Sequence, residues 1–126
     1  MTDEPTPAPA GVDVERVRAV ARDVWTTLGG KWALAVTEAL SAGTLRFTQL
    51  QDGLDGVSHK VLTQTLRRLE RDGLVHRRVH ATVPPRVDYA LTEAGRAAHA
   101  TVNQLCQWSR RYLDDVLTAR DRFDQV

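Results

Sequence analysis

The feature that most constrains the fold is a helix that stops at a glycine and leads straight into a hairpin. Within the helix, leucines recur at helical spacing and form one apolar stripe: Leu62, Leu66 and Leu69. Gly73 then ends the helix, since glycine tolerates the left-handed conformation of a helix terminus. Two segments rich in β-branched residues follow, at 74–80 and 87–91. Pro84-Pro85 lies between them and cannot donate to a strand ladder, so it belongs at the hairpin tip.

Helical periodicity accounts for most of the remaining chain. The pattern predicts a first helix capped by Asp13, a second helix over 31–40, a short third helix over 47–54 and a long last helix capped by Thr92. Residues 44–46 are expected to be extended and to form a short strand that joins the hairpin. We therefore predict a mainly α fold with a small β-hairpin (α+β), arranged as a winged helix-turn-helix.

The chain of 126 residues has the length of one domain. We expect a disordered N-terminal tail at 1–12, the winged helix-turn-helix domain at 13–117 and a frayed C-terminal tail at 118–126. The N-terminal segment carries prolines and acids without an apolar stretch, which is unlike a signal peptide. We therefore expect a cytoplasmic protein that has no membrane partner.

The distribution of charge says more than the net charge of +1. Residues 58–80 contain six basic side chains against two acids, whereas residues 1–25 contain three against five. Positive charge is thus concentrated on the predicted helix and hairpin, which favours a nucleic-acid partner. The alternative is that the arginines form an ordinary solvated helix face.

The face of the fourth helix opposite the leucine stripe carries side chains suited to a DNA major groove. Gln64 can pair with adenine through two hydrogen bonds, and the methyl group of Thr63 can contact the methyl group of thymine. Lys60 and Arg67 are within reach of guanine or phosphate. Arg68 lies at the edge of this face.

The ends of the helix–hairpin unit are candidates for backbone contacts. Ser58 and His59, at the start of the fourth helix, suit phosphate groups. Arg86, beside the hairpin tip, suits either the minor groove or the DNA backbone. The predicted DNA-binding set is Ser58, His59, Lys60, Thr63, Gln64, Arg67, Arg68 and Arg86. Two interpretations remain equally good for Arg77, Arg78 and His80: contact with phosphate groups, or a role in surface solubility alone.

The chain contains a run of motifs in a fixed order: Gly29-Gly30-Lys31-Trp32, Arg46-Phe47-Thr48-Gln49-Leu50, Val57-Ser58 through Leu62-Thr63 and Leu66, Leu69 to Val75, and Val83 to Tyr89 followed by Leu91-Thr92 and Gly95. This run resembles that of the HxlR-type winged-helix transcriptional regulators. The resemblance covers roughly residues 15–112. It implies a bacterial homodimer in which the first and last helices of two protomers pack together. Each protomer would then offer one recognition helix to a pseudo-palindromic operator.

One departure from the family concerns cysteine. Many of these regulators carry a cysteine shortly before the Gly-Gly-Lys-Trp motif, and some of them use it to sense oxidants or electrophiles. Here the corresponding position lies near Ala19, and the single cysteine is Cys106 on the last helix. Cys106 is a candidate redox sensor, although a buried apolar role is the more common fate of a lone cysteine.

Two tryptophans are candidates for a small-molecule effector site. Trp25 and Trp108 lie on the helices that the resemblance assigns to dimerisation. An effector bound there would change the spacing of the two recognition helices. Core packing is the alternative role for such residues.

Other chemistry finds little support. His76 and His80 share a strand face but lie roughly 13 Å apart, too far to ligate one metal ion. The sequence contains no nucleophile–base signature and no phosphate-binding loop. We predict no enzyme activity, no cofactor and no metal.

We therefore predict a sequence-specific, DNA-binding transcriptional regulator. Repression is favoured over activation, because a short chain acts most simply by occluding RNA polymerase. The alternative is a winged helix that binds another protein. The polar face opposite Leu62, Leu66 and Leu69 argues against that alternative, because a protein-binding groove favours exposed apolar side chains.

Overall fold

The computed structural model describes residues 11–125 as five helices and three short strands. The expected tail at 1–12 lies outside these residues except for its last two positions. The elements, in chain order, are α1 Val14–Leu28, α2 Lys31–Ser41, β1 Leu45–Arg46, α3 Phe47–Gly53, α4 His59–Arg71, β2 Val75–His80, β3 Arg86–Leu91 and α5 Glu93–Asp124. This is the predicted winged helix-turn-helix order.

The sheet is antiparallel, and its strand order is β1-β3-β2. The predicted short strand does join the hairpin: Leu45 and Arg46 pair with Tyr89 and Asp88 of β3. In the hairpin, Val75 pairs with Leu91 and the ladder runs to the last pair at the base of the loop. Because opposed residues point to the same side, this register divides the sheet into an apolar face and a charged face.

The apolar face of the sheet and the inner faces of the helices form one core. Val36 and Leu40 of α2 are buried at its centre, as the largely apolar sequence of that helix predicts. The leucine stripe of α4 is buried completely. Tyr89 and Leu91 contribute from β3. α4 is therefore anchored on its apolar side, which leaves its polar side free.

The first turn of α5 is fixed closely to the start of β2. The side chain of Thr92 caps α5 by accepting from the backbone N–H of Gly95, and it donates to the carbonyl of Gly73. A Cβ atom placed on Gly95 would overlap the carbonyl group of Leu74. The position requires glycine because the two backbones approach each other so closely.

Two expectations from the sequence are corrected. Residues 118–124, which were expected to fray, continue α5 to Asp124. Ala119, Arg120 and Arg122 favour helix, and adding residues to an existing helix costs much less than starting a new one. Cys106, for which burial was the favoured interpretation, is exposed on α5. Only Gly95 and Val102 of α5 are buried, so the long C-terminal part of this helix has little contact with the domain body.

Candidate nucleic-acid interface

The polar face of α4 forms the centre of the site. Ser58 caps the helix and accepts from the backbone N–H of Val61 at 3.1 Å. The leucines on the opposite side are at most 2 % exposed, which fixes the rotation of the helix about its axis. The side chains presented to solvent are Ser58, His59, Lys60, Gln64, Arg67 and Arg68, with Thr63 half-buried among them. The structure thus brings seven of the eight predicted residues onto one surface.

The hydroxyl groups on this surface are partly committed to the helix itself. Thr63 donates its hydroxyl hydrogen to the carbonyl of His59 at 2.7 Å. The oxygen can still accept, and the methyl group remains for apolar contact. Ser58 accepts within the cap and retains its own hydrogen for a donor bond. These hydrogen bonds leave Thr63 its methyl group for contact with a thymine methyl, and they leave Ser58 a hydrogen to donate to a phosphate.

His59 is positioned by an aromatic contact with the preceding helix. Its ring lies 4.8 Å from that of Phe47, centroid to centroid. Phe47 lies in turn 6.5 Å from the ring of Tyr89. The aromatic row thus links the start of α4 to β3 of the hairpin.

Two cavities flank the polar face of α4. On the sheet side, a cavity of about 370 Å³ is lined by Arg67, Glu70 and Arg77 among others. On the opposite side, a cavity of about 190 Å³ lies between α4 and the start of α2 and is lined by Lys31, Gln64 and Arg68 among others. Basic side chains therefore border the polar face of α4, which we propose as the recognition face, on both sides.

The hairpin contributes the eighth predicted residue, Arg86. Its Nε atom lies 3.4 Å from Oδ1 of Asp88, in an ion pair. The other carboxylate oxygen of Asp88 accepts a hydrogen bond from Nε2 of His80 at 2.8 Å. Arg86 also lines a groove of about 560 Å³ between the hairpin loop and the start of α3, together with Arg46 and Thr48.

The sequence analysis missed three residues beside this surface. Lys31 was noted only as the start of α2, yet it borders the same cavity as Gln64, with its Nζ 4.8 Å from the ring of Trp32. Arg46 and Asp88 pair across the sheet, a relation that depends on strand register. The spacing of Arg86 and Asp88, two apart on one strand, was the available signal for an ion pair.

The candidate effector residues are not enclosed within the protomer. Trp25 is 51 % exposed and Trp108 is 52 % exposed. The ring of Trp108 lies 5.4 Å from that of Tyr112 on the same helix. Both indoles thus lie about half in solvent on their helices.

Metal sites and membrane spans are two other features to consider among the described residues. Within residues 11–125, no three histidine, cysteine, aspartate or glutamate side chains come together in a group suited to a metal ion. Among the helices described, none combines the length and the apolar character needed to cross a bilayer.

Comparison with known proteins identifies the family. Residues 27–116 match the family described as HxlR-like helix-turn-helix, a span that includes α4, the hairpin and most of α5. The chain belongs to the HxlR-like family. Within it, the chain is 38 % identical over 101 residues to YtfH of Escherichia coli, an uncharacterized HTH-type transcriptional regulator, and the match covers 80 % of each chain. An uncharacterized HTH-type regulator of Methanothermobacter thermautotrophicus is 41 % identical over 85 residues, which span 68 % of this chain and 65 % of that relative.

Solved structures of other transcriptional regulators share the fold. The putative regulator ytfH from Salmonella typhimurium superposes with a TM-score of 0.67 at 37 % identity, covering 80 % of this chain and 90 % of the other. A regulator described as of the MarR family, from Enterococcus faecalis, gives 0.71 at 34 % identity over 90 % of this chain and 99 % of that one. The redox regulator HypR in its reduced form gives 0.68 at 34 % identity, over 78 % and 97 % of the two chains. The chain is thus a transcriptional regulator with a helix-turn-helix DNA-binding domain.

Proposed function

We propose that this HxlR-like protein binds a specific, pseudo-palindromic operator as a homodimer and represses transcription from it. In this proposal α4 enters the major groove, and Gln64 and Thr63 contact base edges. Lys60, Arg67 and Arg68 contact bases or phosphates, and Ser58, His59 and Arg86 contact the DNA backbone. In this proposal the protein acts in the cytoplasm, bound to the chromosome.

The observation that carries the proposal is that α4 has a buried apolar side and an exposed polar side. Its leucine stripe is buried, so the opposite face cannot turn inward to satisfy its polar groups. That face carries three basic side chains, Lys60, Arg67 and Arg68, and is bordered by Lys31 and Arg77. Helices of this kind fit a major groove, where base edges present donors and acceptors within a negatively charged frame.

The dimer is supported by the apolar side chains that α1 and α5 leave in solvent. On α5 these include Leu105, Trp108, Leu113 and Leu117, all between 43 % and 54 % exposed. On α1 they are Val14, Val17, Val20 and Trp25, between 51 % and 56 % exposed. Apolar surface this extensive at both ends of a chain marks an interaction surface. A second copy would cover it and would place two α4 helices at matching half-sites.

Fluorescence anisotropy with two duplexes tests the central claim. The first duplex carries the region upstream of the gene for this protein, and the second is a scrambled sequence of equal composition. We expect tighter binding to the first duplex and an affinity that falls steeply between two salt concentrations. Weak binding to both duplexes would contradict operator recognition near this gene and would favour the protein-interaction alternative.

The effector part of the proposal has a separate test. Trp25 and Trp108 would report a ligand at the dimer interface, so candidate compounds are titrated while tryptophan fluorescence is followed. We expect an effector to change both the fluorescence and the affinity for the operator. A panel of compounds that changed neither would remove this site from the proposal, while the DNA-binding part would stand.

A further inference from the structure

The charged face of the sheet carries one acid among several bases. Register places the side chains of β1, β2 and β3 that share this face in alternate positions. The basic and histidine members of the face are Arg46, His76, Arg78, His80 and Arg86. Among the strand residues described, Asp88 is the only acid on this face. Its carboxylate is 16 % exposed, so it lies beneath its basic neighbours rather than in solvent.

Asp88 bridges the two strands of the hairpin just below the loop. His80 and Arg86 are the last pair of the ladder, and Asp88 lies two residues further along β3 on the same face. One carboxylate oxygen accepts from His80 at 2.8 Å, and the other faces Nε of Arg86 at 3.4 Å. Both side chains that flank the base of the loop thus contact the same carboxylate.

The contact of Arg86 with Asp88 is made at its inner nitrogen, Nε. That Nε atom is shielded from solvent and makes no hydrogen bond with the residues described. The side chain as a whole is 40 % exposed. The terminal nitrogens of the guanidinium make no hydrogen bond with the residues described, and they remain as donors for another anion. Arg86 also lines the groove that Arg46 and Thr48 border on its other side.

We propose that Asp88 is a positioning residue that holds Arg86 so that its guanidinium meets a DNA backbone phosphate at this groove. The inference rests on the proposed function, and it assigns a role to an acid within a surface that binds a polyanion. An arginine side chain loses considerable rotational freedom when it is fixed by a ligand. A partner that fixes it beforehand reduces that loss and so strengthens binding.

The direction in which Asp88→Asn changes DNA affinity separates this role from a purely electrostatic one. A carboxylate near DNA repels phosphate, so on charge alone Asp88→Asn would strengthen binding. If Asp88 positions Arg86, the same variant should bind about threefold to tenfold more weakly, because the guanidinium is no longer held in place. Arg86 contacts backbone in this proposal, so the loss should be similar on the operator duplex and on a scrambled duplex.

Glu70→Gln is the matched control. Glu70 is an exposed acid on α4 beside the recognition face, and it makes no ion pair within the described part of the chain. Removing its charge should leave DNA binding unchanged or strengthen it. A loss in Asp88→Asn together with no loss in Glu70→Gln therefore supports positioning.

A double variant tests whether Asp88 acts through Arg86 or through the stability of the hairpin. Arg86→Ala removes the residue that Asp88 is proposed to position. In that background Asp88→Asn should cause no further loss of affinity, and the slope of log affinity against log salt should equal that of Arg86→Ala alone. Independent, additive losses would overturn the proposal. Thermal melting of each variant confirms that the compared proteins are folded.

If Asp88→Asn does not fold, Arg86→Lys serves in its place. Lysine keeps the charge but has no Nε atom to pair with Asp88, so we expect a loss of about threefold or more. Equal affinity would overturn the proposal. Failure of the parent protein to bind either duplex would refute the proposed function and the positioning role together. An Asp88→Asn variant that binds as tightly as the parent, or more tightly, would refute the positioning role alone.

Discussion

Helices α4 and α5 are both amphipathic, but only α4 finds a partner for its apolar side within its own chain. The leucine stripe of α4 is at most 2 % exposed. On α5, Val102 is buried, but the same helix face continues to Leu113, which is 54 % exposed. The comparison shows that burial of one side of α4 leaves its polar side in solvent, where we propose that it meets DNA. It also shows that α5 keeps an apolar face in solvent, which in our proposal a second copy of the chain covers.

The largest expected effect is a loss of stability when a substitution creates a cavity beneath α4. Leu66→Ala removes buried methyl groups from a side chain that is 2 % exposed. We expect it to lower the free energy of unfolding by about 2–5 kcal/mol, the usual range for such substitutions. Urea denaturation followed by circular dichroism measures this. Leu113→Ala on α5 is the control. An equal loss of unfolding free energy in this variant at low protein concentration would contradict the contrast between a buried α4 and an exposed α5.

The second prediction concerns the exposed face of α5. Leu113→Glu places a charge in the proposed dimer interface, so we expect a shift from dimer to monomer at micromolar concentration. Sedimentation velocity measures the change. Thr118→Glu, on the other side of the same helix, should leave the dimer intact. A parent protein that sediments as a monomer, or a dimer unaffected by Leu113→Glu, would exclude this face.

The third prediction addresses base recognition by α4. Gln64→Ala should cost about 1–3 kcal/mol of binding free energy on the operator and relax the preference at one base pair. Anisotropy measurements on a set of duplexes, each with one base pair changed, would locate that position. If every sequence lost the same affinity, Gln64 would contact backbone rather than a base.

The smallest effect is expected at the hairpin. Arg86→Ala should weaken binding to all sequences alike and reduce the salt slope by about one unit per protomer, since one phosphate contact is lost. Affinity measured over a series of salt concentrations gives the slope. Arg78→Ala, on the charged face of β2, indicates whether that loss is particular to Arg86. A slope that did not change in Arg86→Ala would remove the hairpin from the phosphate contacts.

Much of the fold follows from local patterns. The spacing of Leu62, Leu66 and Leu69 predicted both the helix and its buried side, because a helix repeats every 3.6 residues wherever it lies. Proline at the hairpin tip and glycine after α4 predicted where the elements end. The continuation of α5 past Thr118 was missed, because this segment mixes good helix formers such as Ala119 and Arg120 with poorer ones such as Asp121 and Phe123.

The sequence by itself determined the order of the elements, the two faces of α4 and the concentration of positive charge beside it. Only the tertiary structure decided that Lys31 lies beside Gln64, and that Asp88 faces both His80 and Arg86. Periodicity is a property of neighbouring residues, whereas strand register depends on the turn and on packing. A shift of one residue would have turned Asp88 to the opposite face. The exposure of α5 was decided in the same way, since what remains in solvent depends on where the rest of the chain packs.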